Sequence, residues 1–202
     1  MSTYQLAPKE VLRVVERMMK KFHPELHDAG VSVDCIFAHA STDKNGDAVG
    51  PALKHQGYPA GAVVKIIELK DRAAGRGDSE IVIDGDQWEL WSELERDALI
   101  DHELTHLELV TDKDGVLIRD DLERPRLKSR KHDHQFGWFD CVARRHGESS
   151  FEVRQWNEFE SKRKQLWLFD ASDESELNDK IEKVLVESGV KFQRNVVVKT
   201  SR

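Results

Sequence analysis

Asp101-His102-Glu103-Leu104-Thr105-His106 reads His-Glu-x-x-His and lies in a segment with helical apolar spacing, from Trp91 to Val110. In a helix, side chains four residues apart share one face, so His102 and His106 would point the same way. Two imidazoles one turn apart can hold one zinc ion, and the Glu103 carboxylate beside them can act on a zinc-bound water. The stretch therefore predicts a zinc site with His102 and His106 as metal ligands and Glu103 as the catalytic residue.

The residues around the motif predict where its helix begins, packs and ends. Ser92 followed by Glu95 is a capping-box pattern, which puts the helix start near Glu93. Residues 111–115 contain two aspartates and a glycine, which favours a helix end there. Three apolar side chains recur at i, i+4 and i+7 and would face the core: Ile100, Leu104 and Leu107. The two histidines lie on a neighbouring face, so this helix can pack and still present its ligands.

Length and composition predict a globular chain with a strongly charged surface. The 202 residues, with 39% hydrophobic and 34% charged content, suit one domain, or one domain with an appendage. The net charge of −7 argues against a general nucleic-acid binder. Since no apolar run reaches ~18 residues and the first residues lack a secretory-signal pattern, we expect no membrane partner and a cytoplasmic location. Cys35 and Cys141 fit no paired metal or redox pattern, so we expect reduced thiols.

Helical and strand-like patterns are interspersed along the chain, which predicts an α+β fold. The predicted strands are residues 31–40, 61–69, 80–84, 116–119, 126–130 and 191–199. The predicted helices, besides the motif helix, are residues 8–22, 135–146, 151–169 and 177–186. We expect residues 116–119 to pair with residues 126–130, and Gly147 to end the helix before it.

A catalytic zinc site needs a third protein ligand besides the two motif histidines. The metzincin pattern fails, because Leu109 and Asp112 stand where that pattern has its glycine and third histidine. A gluzincin pattern would use a later glutamate, but Glu123, the nearest, lies in a polar loop. His132 and His134 are better candidates, because both precede the next predicted helix.

Three stretches together resemble the phage metallopeptidases, compact zincins similar in general plan to SprT-like and WLM-type proteases. They are Trp88 to His106, Arg126 to His134, and Val142-Ala143-Arg144-Arg145-His146-Gly147. The resemblance covers roughly residues 31–147 and implies a zincin-like fold, in which a small sheet packs against the motif helix and a second helix. It also implies a third histidine just before that second helix. His132 fits as part of a His-Asp pair ahead of the helix, whereas His134 fits the spacing back from Gly147 better.

We expect a metallopeptidase domain over residues 1–148 and a C-terminal extension over residues 149–202, which the resemblance does not cover and whose own pattern predicts helices and a terminal strand. The resemblance implies a bacterial or phage-infected host cytosol and a protein or peptide substrate. In the implied mechanism, Glu103 takes a proton from the zinc-bound water and passes it to the leaving amine. Asp101 and Glu108 flank the ligands and are candidate partners for a ring N–H, or simply solvated charges. The strand at 61–69 could be the edge along which an extended substrate pairs.

Two other functions compete with this one. The first is a zinc-stabilised binding module without turnover, whose metal would be closed by four protein ligands, with His132 and His134 both bound. The second is a SprT-like protease that acts on DNA-associated proteins, which the basic runs 124–131 and 162–164 favour and the charge of −7 opposes. The sequence names neither the substrate nor the oligomeric state.

Overall fold

The structure is a computed structural model that describes residues 2–133 and 137–166. By its internal contacts the chain divides into two units, Met1–Trp156 and Asn157–Arg202. The first unit contains the sheets and the motif helix. Of the second, the description covers residues 157–166, which belong to one helix. The predicted division at residue 148 stays a prediction.

Strands and helices are mixed along the first unit, so the fold is α+β, as predicted. The strands are β1 (Thr3–Leu6), β2 (Val33–His39), β3 (Lys54–His55), β4 (Tyr58–Pro59), β5 (Ala62–Ile66), β6 (Ser79–Asp84), β7 (Leu107–Leu109) and β8 (Leu127–Ser129). The helices are α1 (Lys9–Phe22), α2 (Pro24–Asp28), α3 (Leu69–Ala73), α4 (Gly85–Trp88), α5 (Glu93–Thr105), α6 (Asp140–His146) and α7 (Phe151–Leu166). None of the helices in the described ranges is long and apolar enough to cross a membrane.

A four-stranded sheet with the order β1-β2-β6-β5 supports the site. β2 and β6 run parallel, and β1 and β5 pair antiparallel at the two ends. Phe37 of β2 lies opposite Ile83 of β6, and both point into the core together with Ile81. β5 is an end strand, and it lies close to α5. The sheet therefore presents one edge next to the motif helix.

The motif helix α5 begins as predicted. The Ser92 hydroxyl accepts a hydrogen bond from the backbone N–H of Glu95, and the Glu95 side chain accepts one from the backbone N–H of Ser92. The helix starts at Glu93, because this capping box satisfies backbone donors that have no partner inside the helix. The three predicted core side chains are fully buried or nearly so: Ile100, Leu104 and Leu107. They join α5 to the same hydrophobic core as α1 and the sheet.

The predicted end of the motif helix is wrong. The helix ends at Thr105 rather than near residue 111, and residues 107–109 form β7. β7 pairs with β8, so the expected pairing of residues 126–130 with residues 116–119 is also largely wrong. Residues 116–119 meet the second segment only at its start, through a bridge between Arg119 and Pro125 and a hydrogen bond from the Arg126 N–H to the Ile118 carbonyl. Local periodicity could not reveal a strand whose hydrogen-bond partner lies twenty residues further on.

The second helix is shorter than predicted. α6 begins at Asp140, not at residue 135, and residues 134–136 lie outside the described part of the chain. Gly137 has φ +71° and Phe139 is extended, and neither conformation continues a helix. The helix ends at His146 before Gly147, which has φ +53°, as predicted.

Other predicted elements match in position. α1, β2, β5 and β6 each fall within a predicted element or shift from it by one residue, and α7 begins at Phe151 as expected. The sequence patterns missed several short elements: β1, β3, β4, α2, α3 and α4. The predicted end of the helix at 169, the helix at 177–186 and the strand at 191–199 lie outside the described residues.

Candidate metal centre

Three histidines from two parts of the chain meet at the end of the motif helix. His102 lies in the last turn of α5, His106 caps the same helix, and His132 follows β8. Each ring offers one nitrogen, and the three nitrogens lie within 4.8 Å of one another. The Nε2 atoms of His102 and His132 are 3.2 Å apart. Three imidazole nitrogens at this spacing fit a site for a metal ion.

Hydrogen bonds orient the two motif rings. His106 donates its Nδ1–H to the backbone carbonyl of Arg130, at 2.8 Å. His102 Nδ1 lies 2.8 Å from Oε1 of Glu152, at the start of α7. Because each Nδ1 is engaged, Nε2 is the ring nitrogen left for a metal ion.

A single aromatic ring lies against all three imidazoles. The centroid of Phe139 is 5.0 Å from that of His102, 4.8 Å from that of His106 and 4.9 Å from that of His132. The ring is fully buried, and the Arg130 guanidinium lies over it at 5.1 Å. Phe139 therefore limits how far the three imidazoles can tilt.

The segment that carries His132 is held by Asp133. One carboxylate oxygen accepts a hydrogen bond from Arg130, at 2.7 Å, and the other accepts one from the backbone N–H of Asp140, at 3.0 Å. The backbone N–H of Asp133 donates to the carbonyl of Trp138. These bonds fix the chain on both sides of His132. His134, the alternative third ligand, lies outside the described residues.

Glu103 is almost completely buried between the motif helix and the sheet. Its Oε2 accepts a hydrogen bond from the backbone N–H of Val64, in the middle of β5, at 2.8 Å. Burial raises the pKa of the Glu103 carboxyl, and the charge of Glu152 acts in the same direction. His102 and the Val64 N–H oppose that rise but do not cancel it.

Two of the three histidines, His106 and His132, have lowered pKa values that keep their rings neutral for metal binding. Burial lowers the pKa of His106 to about 4, and burial also lowers the pKa of His132. Both rings are therefore neutral at pH 7, with a lone pair free to bind a metal ion. Burial lowers the pKa of His102 as well, but the hydrogen bond to Glu152 and the nearby carboxylates outweigh it, and the pKa lies above the usual value.

The charges around the cluster also fit a bound cation. Glu103 and Glu152 are both buried beside the histidines, and in the described part of the chain neither pairs with a lysine or arginine. Oε2 of Glu152 is buried, and none of the described residues donates a hydrogen bond to it. Buried carboxylates are costly unless a positive charge compensates them, and a metal ion held by the histidines would supply that charge.

The structure places Asp101 and Glu108 away from the ligand rings. The Asp101 carboxylate binds His23, Arg145 and His146, and none of the three clustered histidines. Glu108 lies on β7 and pairs with Lys128 at 3.1 Å. The groups that hold the ring nitrogens are instead the Arg130 carbonyl and Glu152.

Glu152 and Phe139 belong to the site although no sequence pattern points to them. The apolar spacing predicts Phe139 in a helix that does not include it, and Glu152 lies fifty residues after His102 in a charged amphipathic segment. No motif marks either position, since both reach the histidines through the fold of the chain.

Comparison with protein-family models gives a match over residues 3–162, to a family described as putative phage metallopeptidase. The chain belongs to this phage metallopeptidase family. The matched range is longer than the resemblance at residues 31–147, and it includes β1, all three clustered histidines and Glu152. No curated protein and no solved structure matched the chain.

Proposed function

We propose that this family member is a zinc-dependent metallopeptidase of the HExxH type, with a zincin-like fold. His102, His106 and His132 would hold the zinc ion, and Glu103 would act as general base. The observation that carries the proposal is the meeting of three imidazole nitrogens within 4.8 Å, beside a buried glutamate. The substrate would be a protein or a peptide.

The three imidazole donors favour zinc and would leave a fourth coordination position for water or substrate. Imidazole nitrogen suits zinc well, and three protein ligands with a free fourth position are typical of catalytic zinc sites. When bound, zinc lowers the pKa of a coordinated water toward ~7 and polarises the carbonyl that is attacked. Phe139 closes one side of the cluster and contributes no ligand atom, and the described residues place only three histidines in the cluster.

The Glu103 carboxylate is suited to proton transfer. Burial raises the pKa of this carboxyl in the metal-free protein, and a carboxylate kept out of bulk water accepts a proton more readily than an exposed one. The Val64 N–H binds Oε2, so Oε1 would take the proton from the attacking water and deliver it to the leaving amine. Because the backbone of β5 holds the carboxylate, it needs no reorientation between the two steps.

The edge of β5 is the proposed substrate-binding strand. The N–H of Val64 points away from β6, because its partner is Glu103, so this edge faces the proposed catalytic residue. An extended peptide could pair along the same edge and pass its scissile bond close to Glu103. We propose no second function. In the basic run 124–131, the side chains of Arg124, Lys128 and Arg130 pair with carboxylates of the protein itself, which weakens its support for nucleic-acid binding.

Metal analysis of protein purified without a histidine tag tests the proposal. We expect about one zinc ion per chain, and cleavage of an unfolded protein substrate that stops with a chelator and returns when zinc is added back. A chain that binds no divalent metal ion would contradict the whole proposal. A chain that binds zinc but never cleaves would contradict the peptidase function only.

Replacing His132 by alanine is expected to weaken zinc binding severely. The loss should exceed the roughly 10–100-fold that removal of a supporting residue costs, because a direct ligand is removed. Chelator competition measures the zinc dissociation constant. His134→Ala should leave that constant almost unchanged, as should His27→Ala, because the His27 ring lies at the surface and its nitrogen bonds to Asp28. Equal losses for His132→Ala and His134→Ala would favour a closed four-ligand site instead.

A further inference from the structure

We propose that Glu152 is a positioning residue of the metal centre, a role that rests on the proposed zinc site. Its carboxylate holds the ring of His102 through the 2.8 Å contact between Oε1 and Nδ1. A carboxylate that binds the far nitrogen of a ligand histidine fixes the ring and makes its other nitrogen a better donor to the metal. Glu152 would thus tune His102, which lies fifty residues earlier in the chain and in a different helix.

The burial of Glu152 argues for this role rather than for an ordinary surface interaction. The side chain is 1% exposed, and its second oxygen has no hydrogen-bond partner within residues 2–133 and 137–166. A glutamate that served only to cap or solubilise α7 would lie at the surface, where its charge costs little. Here the negative charge is kept inside the protein next to His102, and it favours a cation on the opposite nitrogen of that ring.

The chain on both sides of Glu152 is anchored, so its position is set before any metal binds. Ser150 is fully buried, and its hydroxyl donates to the carbonyl of Gly147 and accepts from the backbone N–H of Val153. Phe151 packs edge-on against Trp91, with ring centroids 5.2 Å apart. Arg154 pairs with Glu95, at the first turn of the motif helix. The start of α7 is therefore tied to α5, and Glu152 needs little reorganisation to hold His102.

With Glu152 as a positioning residue, the metal centre requires a longer stretch of the chain than the three histidines span. The three histidines all lie before residue 133, whereas Glu152 lies beyond Gly147, the residue that ends α6. A chain that stops before Glu152 would keep every ligand and lose this support.

The test compares zinc affinity in Glu152→Ala, Glu152→Gln and a matched control, Glu80→Gln. Glu80 is also buried, at 2% exposed, but it pairs with Lys65 and Arg76 on the central sheet. We expect Glu152→Ala to raise the zinc dissociation constant about 10–100-fold, as measured by chelator competition. Glu152→Gln should raise it less, because an amide oxygen can still accept from Nδ1 without the charge. Glu80→Gln should leave the constant unchanged, although it lowers the melting temperature of the metal-free protein.

Each outcome decides the matter. If Glu152→Gln and Glu152→Ala bind zinc as tightly as the wild type, the positioning role is wrong, and if the alanine variant does not fold, the glutamine variant alone decides. If Glu80→Gln loses as much zinc affinity as Glu152→Gln, removing any buried carboxylate has the same effect, and the positioning role of Glu152 is also wrong. If the wild type binds no zinc, the proposed function and the role of Glu152 are both wrong. If the wild type binds zinc without cleaving a substrate, only the peptidase function is wrong, and the zinc affinities of the variants still test the role of Glu152.

Discussion

Glu103→Gln is expected to lower kcat for cleavage of an unfolded protein substrate by about 10²–10⁴-fold, the contribution typical of a positioned general base. Glutamine has nearly the same shape as glutamate, and its amide oxygen can still accept the hydrogen bond from the Val64 N–H. It cannot take up the proton of the attacking water. The change should therefore affect the chemical step while the fold and the three histidines stay as they are.

Two further measurements separate this loss from damage to the site. Zinc content and the zinc dissociation constant of Glu103→Gln should match those of the wild type, because Glu103 is not among the clustered ligands. Glu108→Gln is a suitable control, since Glu108 lies on β7 and its contact is with Lys128 at the surface; this variant should cleave at the wild-type rate. Similar rates for the wild type and Glu103→Gln would show that the general base is another group or that the chain is no peptidase.

Asp101→Ala is expected to lower the free energy of unfolding by about 3 kcal/mol, the lower part of the range for breaking a buried ion pair. Asp101 is fully buried, and its carboxylate binds Nε2 of His23 at 2.7 Å, Nε2 of His146 at 2.9 Å and Arg145 at 2.9 Å. It thereby joins α5 to α6 and to the junction between α1 and α2. Its loss leaves buried donors without a partner, although Arg145 is partly exposed and can turn toward water.

Urea denaturation of the metal-free protein measures this effect, because a chelator removes any contribution from metal affinity. Asp97→Asn is the control: Asp97 lies on the same helix and pairs with Arg17 near the surface, and such pairs contribute at most about 1 kcal/mol. An equal loss of unfolding free energy in the two variants would mean that the buried cluster around Asp101 stabilises the fold no more than a surface ion pair does.

The pH dependence of stability follows from the same cluster. Burial raises the pKa of Asp101, but the hydrogen bonds from His146 and His23 and the charge of Arg145 outweigh it and hold the pKa well below its usual range. A carboxyl whose pKa is lower in the folded state stabilises the protein above its unfolded pKa of about 3.9, and this stabilisation is lost as the pH falls below that value. We therefore expect the free energies of unfolding of the wild type and Asp101→Ala to converge as the pH drops from about 4 toward 2. A difference that stays constant down to pH 2 would contradict the role of the ionised carboxylate.

Local interactions made much of the motif helix predictable. The capping box joins Ser92 to Glu95 three residues away, and the histidine pair depends only on the rise and turn of a helix. The core face at Ile100 and Leu104 has the same basis. For that reason the start of α5, its buried side and the shared face of His102 and His106 follow from the sequence.

The rest of the metal centre depends on contacts between distant segments. His132 reaches the motif through the pairing of β7 with β8, a pairing that the helical spacing around Leu107 concealed. Phe139 lies against the histidines because the chain is extended there, where apolar spacing had predicted a helix. The choice between His132 and His134 could not be made from spacing, since both precede the second helix.

What the sequence by itself determined is the placement of His102, Glu103 and His106 together at the end of a helix that begins at Glu93. Periodicity and capping settle these features because each involves residues within a few positions of one another. Only the tertiary structure decided that Glu152 contacts His102, that Val64 binds Glu103, and that Asp101 faces His23 and His146 instead of the ligands. These contacts form when strands pair and helices pack, and partners separated by roughly 40 to 80 residues leave no local pattern from which they could be predicted.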